Sequence, residues 1–131
     1  MKKLLGIVVL GLLWCNVSFA GLIHPAWTKV ASNVNLTVIV YVDKETIKKT
    51  GDKVIYKQLN SYIEPVNEGV YSDISFIKVN CATNEMRFLD TTYYSKKMGK
   101  GSIVDEDDSI SDWDYFAPET VMGIVIKYVC K

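Results

Sequence analysis

The sequence has few side chains that could act together as a catalytic nucleophile and its general base. Hydrolysis by an activated serine or cysteine needs a histidine or an equivalent base within hydrogen-bond reach. The single histidine is His24, which lies near the start of the chain in a segment where we expect an exposed tail. We therefore predict that the protein is not an enzyme and that it uses no cofactor.

A run of carboxylates at residues 105–108 has the oxygen ligands that calcium prefers. An EF-hand loop that began at Asp105 would need glycine at its sixth position and glutamate at its twelfth. This chain has Ile110 and Phe116 at those positions. The mismatch favours a solvated, irregular acidic loop over residues 105–118, and we predict no metal site.

Three lysines surround two glycines in the stretch KKMGKG, namely Lys96, Lys97 and Lys100. The spacing is not that of a phosphate-binding GxxxxGK[ST] loop. One interpretation is a charged hairpin turn that discourages edge-to-edge aggregation. The other is a basic tip that binds anionic glycans or acidic protein segments. Tyr93 and Tyr94 face opposite sides of one predicted strand, and we add Tyr94 to the three lysines as a candidate binding residue.

The first twenty residues have the organisation of a secretory signal peptide. Two lysines precede an apolar stretch at residues 4–14, and a small-residue exit ends at Ala20. We predict cleavage after Ala20, with residues 1–20 as the signal and residues 21–131 as one mature domain. No later stretch approaches the roughly 20 apolar residues of a transmembrane helix. We expect an exported protein, in the periplasm or on the outer cell surface.

The cysteines become an even number when the signal is removed. Cys15 lies within the signal, which leaves Cys81 and Cys130. Two cysteines in an exported domain are expected to form one disulfide. Cys15 has an alternative interpretation as a lipid-attachment site, but Trp14 is a poor fit directly before a lipidated cysteine. This neighbour favours simple cleavage over lipidation.

The charge balance of the mature domain restricts its partners. Loss of Lys2 and Lys3 with the signal leaves 13 basic residues against 15 acidic residues, a net charge of about −2. Such a balance creates no global field that would attract nucleic acid or an anionic membrane. We therefore expect a protein or glycan partner and no nucleic acid.

Hydrophobic alternation predicts a mostly β domain. The predicted strands lie near residues 27–30, 36–43, 53–63, 70–81 and 85–95. Asp43 is predicted to end the second strand and to cap a single helical turn over the sequence DKETI, because its carboxylate can accept from the following backbone N–H groups. Glycine-bearing turns are predicted at residues 50–52 and 96–101.

The C-terminal segment is ambiguous between helix and strand. Pro118 fits the first position of a helix. The run that follows is rich in β-branched residues and contains Gly123, which keeps a strand open. The apolar residues have the i, i+3, i+4 spacing of a helix, and these are Val121, Ile124, Val125, Tyr128 and Val129.

Several segments form an ordered set that covers nearly all of the mature chain. They are Trp27 with TKV, VYVDKETIKKTGDKV, Ser72 and Ser75 ahead of Cys81, NCATNEMRFLDTTYYSKKMGKGSIV, Trp113, Pro118, and a closing VC at Val129 and Cys130. In this order they resemble the bacterial surface-adhesin protein E-like family. The most specific part of the resemblance is a pair of cysteines, one just before an aromatic strand and the other at the C-terminus.

The resemblance implies an α+β, mostly β fold, in which the Cys81–Cys130 disulfide ties a C-terminal helix to a small antiparallel sheet. It also implies a surface or periplasmic location, and it adds host extracellular matrix to the candidate partners. We predict an exported, non-catalytic binding module that contacts a protein or glycan at the cell envelope or the host matrix. The alternative is a periplasmic structural or stress-related envelope factor with no host ligand. The sequence leaves a homodimer open.

Overall fold

The computed structural model describes residues 27–131, so the predicted signal peptide, Cys15 and His24 lie outside the described residues. Within that range the chain forms seven strands and one α-helix. The elements are β1 (Trp27–Ser32), β2 (Val38–Thr50), β3 (Lys53–Val66), β4 (Val70–Asn80), β5 (Glu85–Lys96), β6 (Lys100–Asp107), β7 (Asp114–Tyr115) and α1 (Val121–Cys130), with a 3₁₀ turn at Lys97–Gly99.

The strands form one antiparallel sheet in the order β1-β2-β3-β4-β5-β6, and β7 pairs with β5. Each of the first six strands lies beside its neighbours in the sequence, because the connections are tight turns. One of these turns uses Gly51, which has a φ of 62°. The backbone of Asp52 in the same turn accepts a hydrogen bond from Cys81 N at 2.8 Å. This bond joins the β2–β3 turn to the residue that follows β4.

The helix α1 packs on one face of the sheet, which we call the helix face. The Cys81–Cys130 disulfide connects the end of β4 to the last residue of α1. The predicted fold class, a mostly β antiparallel sheet with a C-terminal helix tied to it by this disulfide, is confirmed. The buried apolar core between sheet and helix consists of Ala31, Val40, Val42, Val54, Tyr56, Ile77, Val79, Met86, Val125, Ile126 and Val129.

The start of α1 differs from the sequence prediction. Pro118 is not the first helical residue, because residues 117–120 form a turn in which Thr120 N donates to Ala117 O at 3.0 Å. Thr120 is the N-cap, and its hydroxyl accepts from Gly123 N at 3.0 Å. The segment is a helix and not a strand. No helix within residues 27–131 has the length and apolarity needed to cross a membrane.

Two predicted irregular segments are extended in the structure. The prediction of a helical turn after Asp43 is wrong, because β2 continues to Thr50 through a bulge. The Asp43 carboxylate does accept from a following backbone group, Glu45 N, at 3.1 Å. The prediction of an irregular acidic loop over residues 105–118 is wrong in part, because residues 105–107 belong to β6 and residues 114–115 form β7.

Candidate functional site

The lysine turn, which we define as residues 96–101, folds back over the sheet face opposite α1. We call this the turn face. Ser72 Oγ donates to a backbone carbonyl of the turn at 2.5 Å and accepts from Gly99 N at 2.8 Å. Met98 N donates to Ser61 Oγ at 3.3 Å. Ser61 and Ser72 are buried and directly paired between β3 and β4. The turn is therefore fixed onto the sheet instead of projecting from its edge.

The backbone of this turn has the left-handed conformation that favours glycine. Met98 has a φ of 61° and Gly99 a φ of 70°. Gly99 also lies close to β4, because a Cβ at that position would meet Ile74 Cδ1 at 2.8 Å. A side chain at position 99 would therefore meet both backbone strain and a steric contact with the sheet. Gly99 thus permits the close approach of the turn to the turn face.

The predicted binding residues belong to the lysine turn and to the end of β5 that precedes it. All three lysines of the turn are exposed. The Nζ of Lys97 lies 6.0 Å from the centroid of the Tyr71 ring, at the limit of a cation–π contact. Tyr94 is half-buried and pairs with Ser72 across β4 and β5, so both side chains face the turn side. Their role in binding stays a prediction for the full set: Lys96, Lys97, Lys100 and Tyr94.

The helix face contains a polar cleft beyond the apolar core. It has a volume of about 300 Å³. On β3 the alternate residues change from apolar Tyr56 to polar Gln58 and Asn60 while keeping the same face. Gln58 lies at the border with α1, since its Nε2 is 3.6 Å from Met122 Sδ. The cleft is lined by Asn60, Asp73, Ser75, Phe88, Thr91, Tyr93, Asp107, Ser109 and Ser111.

A chain of side-chain hydrogen bonds runs from the core to the cleft. Tyr56 OH donates to Gln58 Oε1 at 2.6 Å, and Gln58 Nε2 donates to Asn60 Oδ1 at 3.0 Å. The chain ends at the carboxylate of Asp73. Its Oδ1 accepts from Asn60 Nδ2 at 3.1 Å, and its Oδ2 accepts from Tyr62 OH at 2.5 Å. The network orients the Asp73 carboxylate, because each of its two oxygens has a fixed donor.

Burial and neighbouring carboxylates set the charges in the cleft. Burial raises the pKa of the Asp73 carboxyl above its usual value, and the hydrogen bonds from Tyr62 and Asn60 oppose that shift. Hydrogen bonds from Ser109 lower the pKa of the exposed Asp107 carboxyl, which keeps it ionised. Burial raises the pKa of the Tyr93 hydroxyl, and the charges of Asp73, Asp107 and Asp105 raise it further. Negative potential is therefore concentrated around Tyr93.

Sequence reasoning missed the cleft. Its signal was present in β3, where Gln58 and Asn60 occupy the alternate positions that otherwise point apolar side chains into the core. Polar residues at core positions indicate a buried network or a site. Within residues 27–131, no group of three or more histidine, cysteine or acidic side chains is arranged to hold a metal ion.

Comparisons with known proteins agree with this architecture. The family model described as Surface-adhesin protein E matches residues 27–131. A crystal form II structure of Haemophilus influenzae protein E is 18% identical, with a TM-score of 0.60 over 82% of this chain and 88% of that chain. Protein E from non-typeable Haemophilus influenzae is also 18% identical, with a TM-score of 0.55 over 82% of this chain and 76% of that chain. These structural matches show a shared fold, and the family match over all described residues shows that this chain belongs to the Surface-adhesin protein E family.

Proposed function

We propose that this protein is an exported, non-catalytic binding module whose lysine turn and Tyr94 contact an acidic protein segment or an anionic glycan, at the cell envelope or in the host matrix. Family membership supports an adhesin-like binding role. One observation carries the choice of surface: two buried serines fix the backbone of the lysine turn, while its three lysines stay exposed.

A fixed turn is a better binding surface than a mobile one. Ordering a flexible loop on binding costs conformational free energy, and a turn that is already held to the sheet avoids most of that cost. Exposed lysines also keep their charges in water, where they attract an anionic partner over a distance of about one Debye length. The interaction should therefore weaken as salt is added.

The assignment as a binding module and not an enzyme has a chemical basis. The Cys81–Cys130 disulfide uses both cysteines of the described residues, so neither offers a free thiol nucleophile. The chain's single histidine is His24, which lies outside the described residues. A serine in the cleft would therefore have no histidine base among residues 27–131.

The binding proposal is tested with a triple variant and two anionic probes. Lys96, Lys97 and Lys100 are replaced together by serine, and binding to a heparin oligosaccharide and to a polyglutamate peptide is measured by titration calorimetry. The matched control replaces three exposed lysines elsewhere, namely Lys44, Lys48 and Lys127.

We expect the turn variant to lose about tenfold or more in affinity for at least one probe, with an unchanged melting temperature, because exposed charges contribute little to stability. The control variant has the same net charge and should keep most of its affinity. Equal losses in the two variants would show a response to net charge alone and would overturn the assignment to the lysine turn.

We also propose that the signal at residues 1–20 is removed after Ala20 and that the mature chain reaches the outer cell surface. The signal organisation and the family support export. Intact-mass measurement of the exported protein should give Gly21 as the first residue. Protease treatment of intact cells should degrade a surface protein, whereas survival of the protein with its fold intact would favour the periplasmic alternative. A diacylated Cys15 at the N-terminus would contradict the cleavage site.

A further inference from the structure

The carboxylate of Asp73 lies in the cleft of the helix face with neutral partners. The residue is 4% exposed, and its two oxygens accept from the amide of Asn60 and the hydroxyl of Tyr62. No basic side chain contributes to the shift of its pKa. Buried carboxylates are ordinarily paired with a cation, because an unpaired buried charge is costly. When it is ionised, the Asp73 carboxylate therefore has unused lone pairs and a negative charge that no basic side chain lining the cleft pairs with.

The rest of the cleft adds negative charge and hydroxyl groups. Asp107 lies at the exposed rim, while Ser75 and Thr91 form a hydroxyl pair at 2.7 Å between β4 and β5. In such a pair, the donating hydroxyl keeps two lone pairs and the accepting hydroxyl keeps one, so both oxygens can still accept from a ligand. The charges of Asp73 and Asp107 both act on the hydroxyl of Tyr93, so the two carboxylates share one region of the cleft.

Arg87 contacts Ser111, a residue of the cleft lining, but its charged group is engaged elsewhere. Arg87 Nε donates to the backbone carbonyl of Ser111 at 3.0 Å. Its guanidinium lies 4.8 Å from the centroid of the Trp113 ring. Both contacts direct Arg87 toward the chain segment before β7, and no basic residue lines the cleft. The cleft is therefore an acidic pocket with an open mouth.

We propose that the cleft binds an organic cation, a primary ammonium group on a flexible alkyl chain, with Asp73 at its base and Asp107 at its rim. The volume of about 300 Å³ is at the low end for small-molecule sites and suits a group of the size of one lysine side chain. An ammonium group has three donors, which match the two carboxylates and the hydroxyls of the lining.

The chemistry of the cleft favours an ammonium group over other ligand classes. An anion would meet two carboxylates and no basic lining residue. A divalent metal ion needs several convergent oxygen ligands, and residues 27–131 contain no cluster of three acidic, histidine or cysteine side chains. A neutral sugar would leave the charge of Asp73 without a counter-ion. This site lies on the opposite face from the lysine turn and does not depend on the function proposed for that turn.

The test is a titration of the oxidised mature domain followed by amide chemical shifts in two-dimensional NMR. The probes are N-α-acetyl-lysine amide, which represents a protein side chain, and cadaverine, which represents a free diamine. The neutral control is N-α-acetyl-norleucine amide, which has a similar chain without the charge. Calcium chloride serves as a metal control at matched ionic strength.

We expect both amines to cause saturable changes in the amide chemical shifts of Ser75, Thr91 and Tyr93. The amine that binds with the higher affinity identifies the source of the ammonium group, a protein side chain or a free diamine. Equal shifts with the norleucine amide, or tighter binding of calcium at the same amides, would overturn the proposal. Shifts that do not saturate, or that spread over the surface, would overturn it as well.

Two substitutions locate the binding energy. Asp73→Asn should weaken amine binding by about tenfold or more, and Asp107→Asn by about fivefold, because each removes one negative charge from the cleft. Asp52→Asn is the matched control, since Asp52 is exposed in the β2–β3 turn. It should change the affinity by less than about twofold. If Asp73→Asn does not fold, Asp107→Asn decides alone, and an affinity equal to that of the Asp52 control would reject the site.

Discussion

The lysine turn and the acidic cleft lie back to back on the same two strands. Ser72, which holds the turn, is followed directly by Asp73, which forms the base of the cleft. On the neighbouring strand, Ser61 holds the turn and Asn60 lines the cleft. Because consecutive residues of a strand point to opposite faces, one pair of strands supports a basic surface on one side and an acidic site on the other.

The two regions treat charge in opposite ways. The turn is fixed by neutral serines, and its charged groups remain in water. The cleft instead buries the Asp73 carboxylate against neutral donors. Exposed charges have little effect on the free energy of unfolding, whereas a buried and unmatched charge lowers it. We therefore expect the lysine turn to have little effect on the free energy of unfolding and the ionised Asp73 carboxylate to lower it, as is typical of a site retained for binding.

The largest expected effect comes from the disulfide that ties α1 to the helix face. Cys81→Ser should lower the free energy of unfolding by about 2–5 kcal/mol. Hydrogen exchange should show that α1 loses more protection than the lysine turn, because the turn is held by strand residues and not by the helix. Wild-type protein melted with reductant is the control and should resemble the variant. Equal loss of protection in α1 and in the lysine turn would contradict the claim that the turn is held independently of the helix.

A smaller effect is expected from the serine that fixes the turn. Ser72→Ala removes a hydroxyl that is fully buried and contacts the turn twice, and it should lower the free energy of unfolding by about 1–3 kcal/mol. The amide of Gly99 should exchange faster, while the cleft should still bind the amine probe. Ser102→Ala, in exposed β6, is the matched control and should have almost no effect. Unchanged protection of Gly99 would show that the turn is held by other contacts.

The smallest effect, and the one most specific to the cleft, is a pH dependence. Burial raises the pKa of Asp73 above its usual value of 3.8, so the folded state holds this proton to a higher pH than the unfolded state does. The contribution of Asp73 to the free energy of unfolding should therefore fall as the pH rises through that window. The unfolding free energy of Asp73→Asn minus that of the wild type should therefore increase from about pH 3 to pH 7.

A second variant sharpens this pH measurement. The hydrogen bond from Tyr62 lowers the pKa of Asp73 and so opposes the effect of burial. Tyr62→Phe should extend the fall in stability to a higher pH. If the wild type instead becomes more stable relative to Asp73→Asn as the pH rises, the folded state favours the ionised carboxylate. That result would contradict the assignment of Asp73 as a buried carboxylate without a matching cation.

Much of the fold could be predicted from the sequence because the strands alternate. The alternation in SFIKVNC predicted both a strand and which side chains share a face, and the structure confirms this with Ile77 and Val79 buried on the helix face. The C-terminal helix was ambiguous because Gly123 weakens a helix in isolation. The structure explains this glycine, since a Cβ there would lie 1.9 Å from Ala117 O. Such a tertiary contact has no signature in local propensity.

The sites were less predictable than the fold. The lysines of KKMGKG were visible as a charged turn, but the sequence could not show that the turn bends onto Ser61 and Ser72 instead of projecting. The cleft was missed because its lining comes from four strands and the segment before β7, and only their pairing brings Asp73 and Asp107 together. Local pattern identifies elements, whereas a site of this kind depends on the register between them.

The most direct test of the account is a competition between the two faces. The mature domain is saturated with the heparin oligosaccharide, and N-α-acetyl-lysine amide is then titrated into the complex while amide shifts are followed. We expect both probes to be bound together, with shifts from heparin confined to the lysine turn and shifts from the amine confined to the cleft. Displacement of one probe by the other, in the absence of direct association between the probes, would contradict two separate sites of opposite charge on the two faces of one sheet.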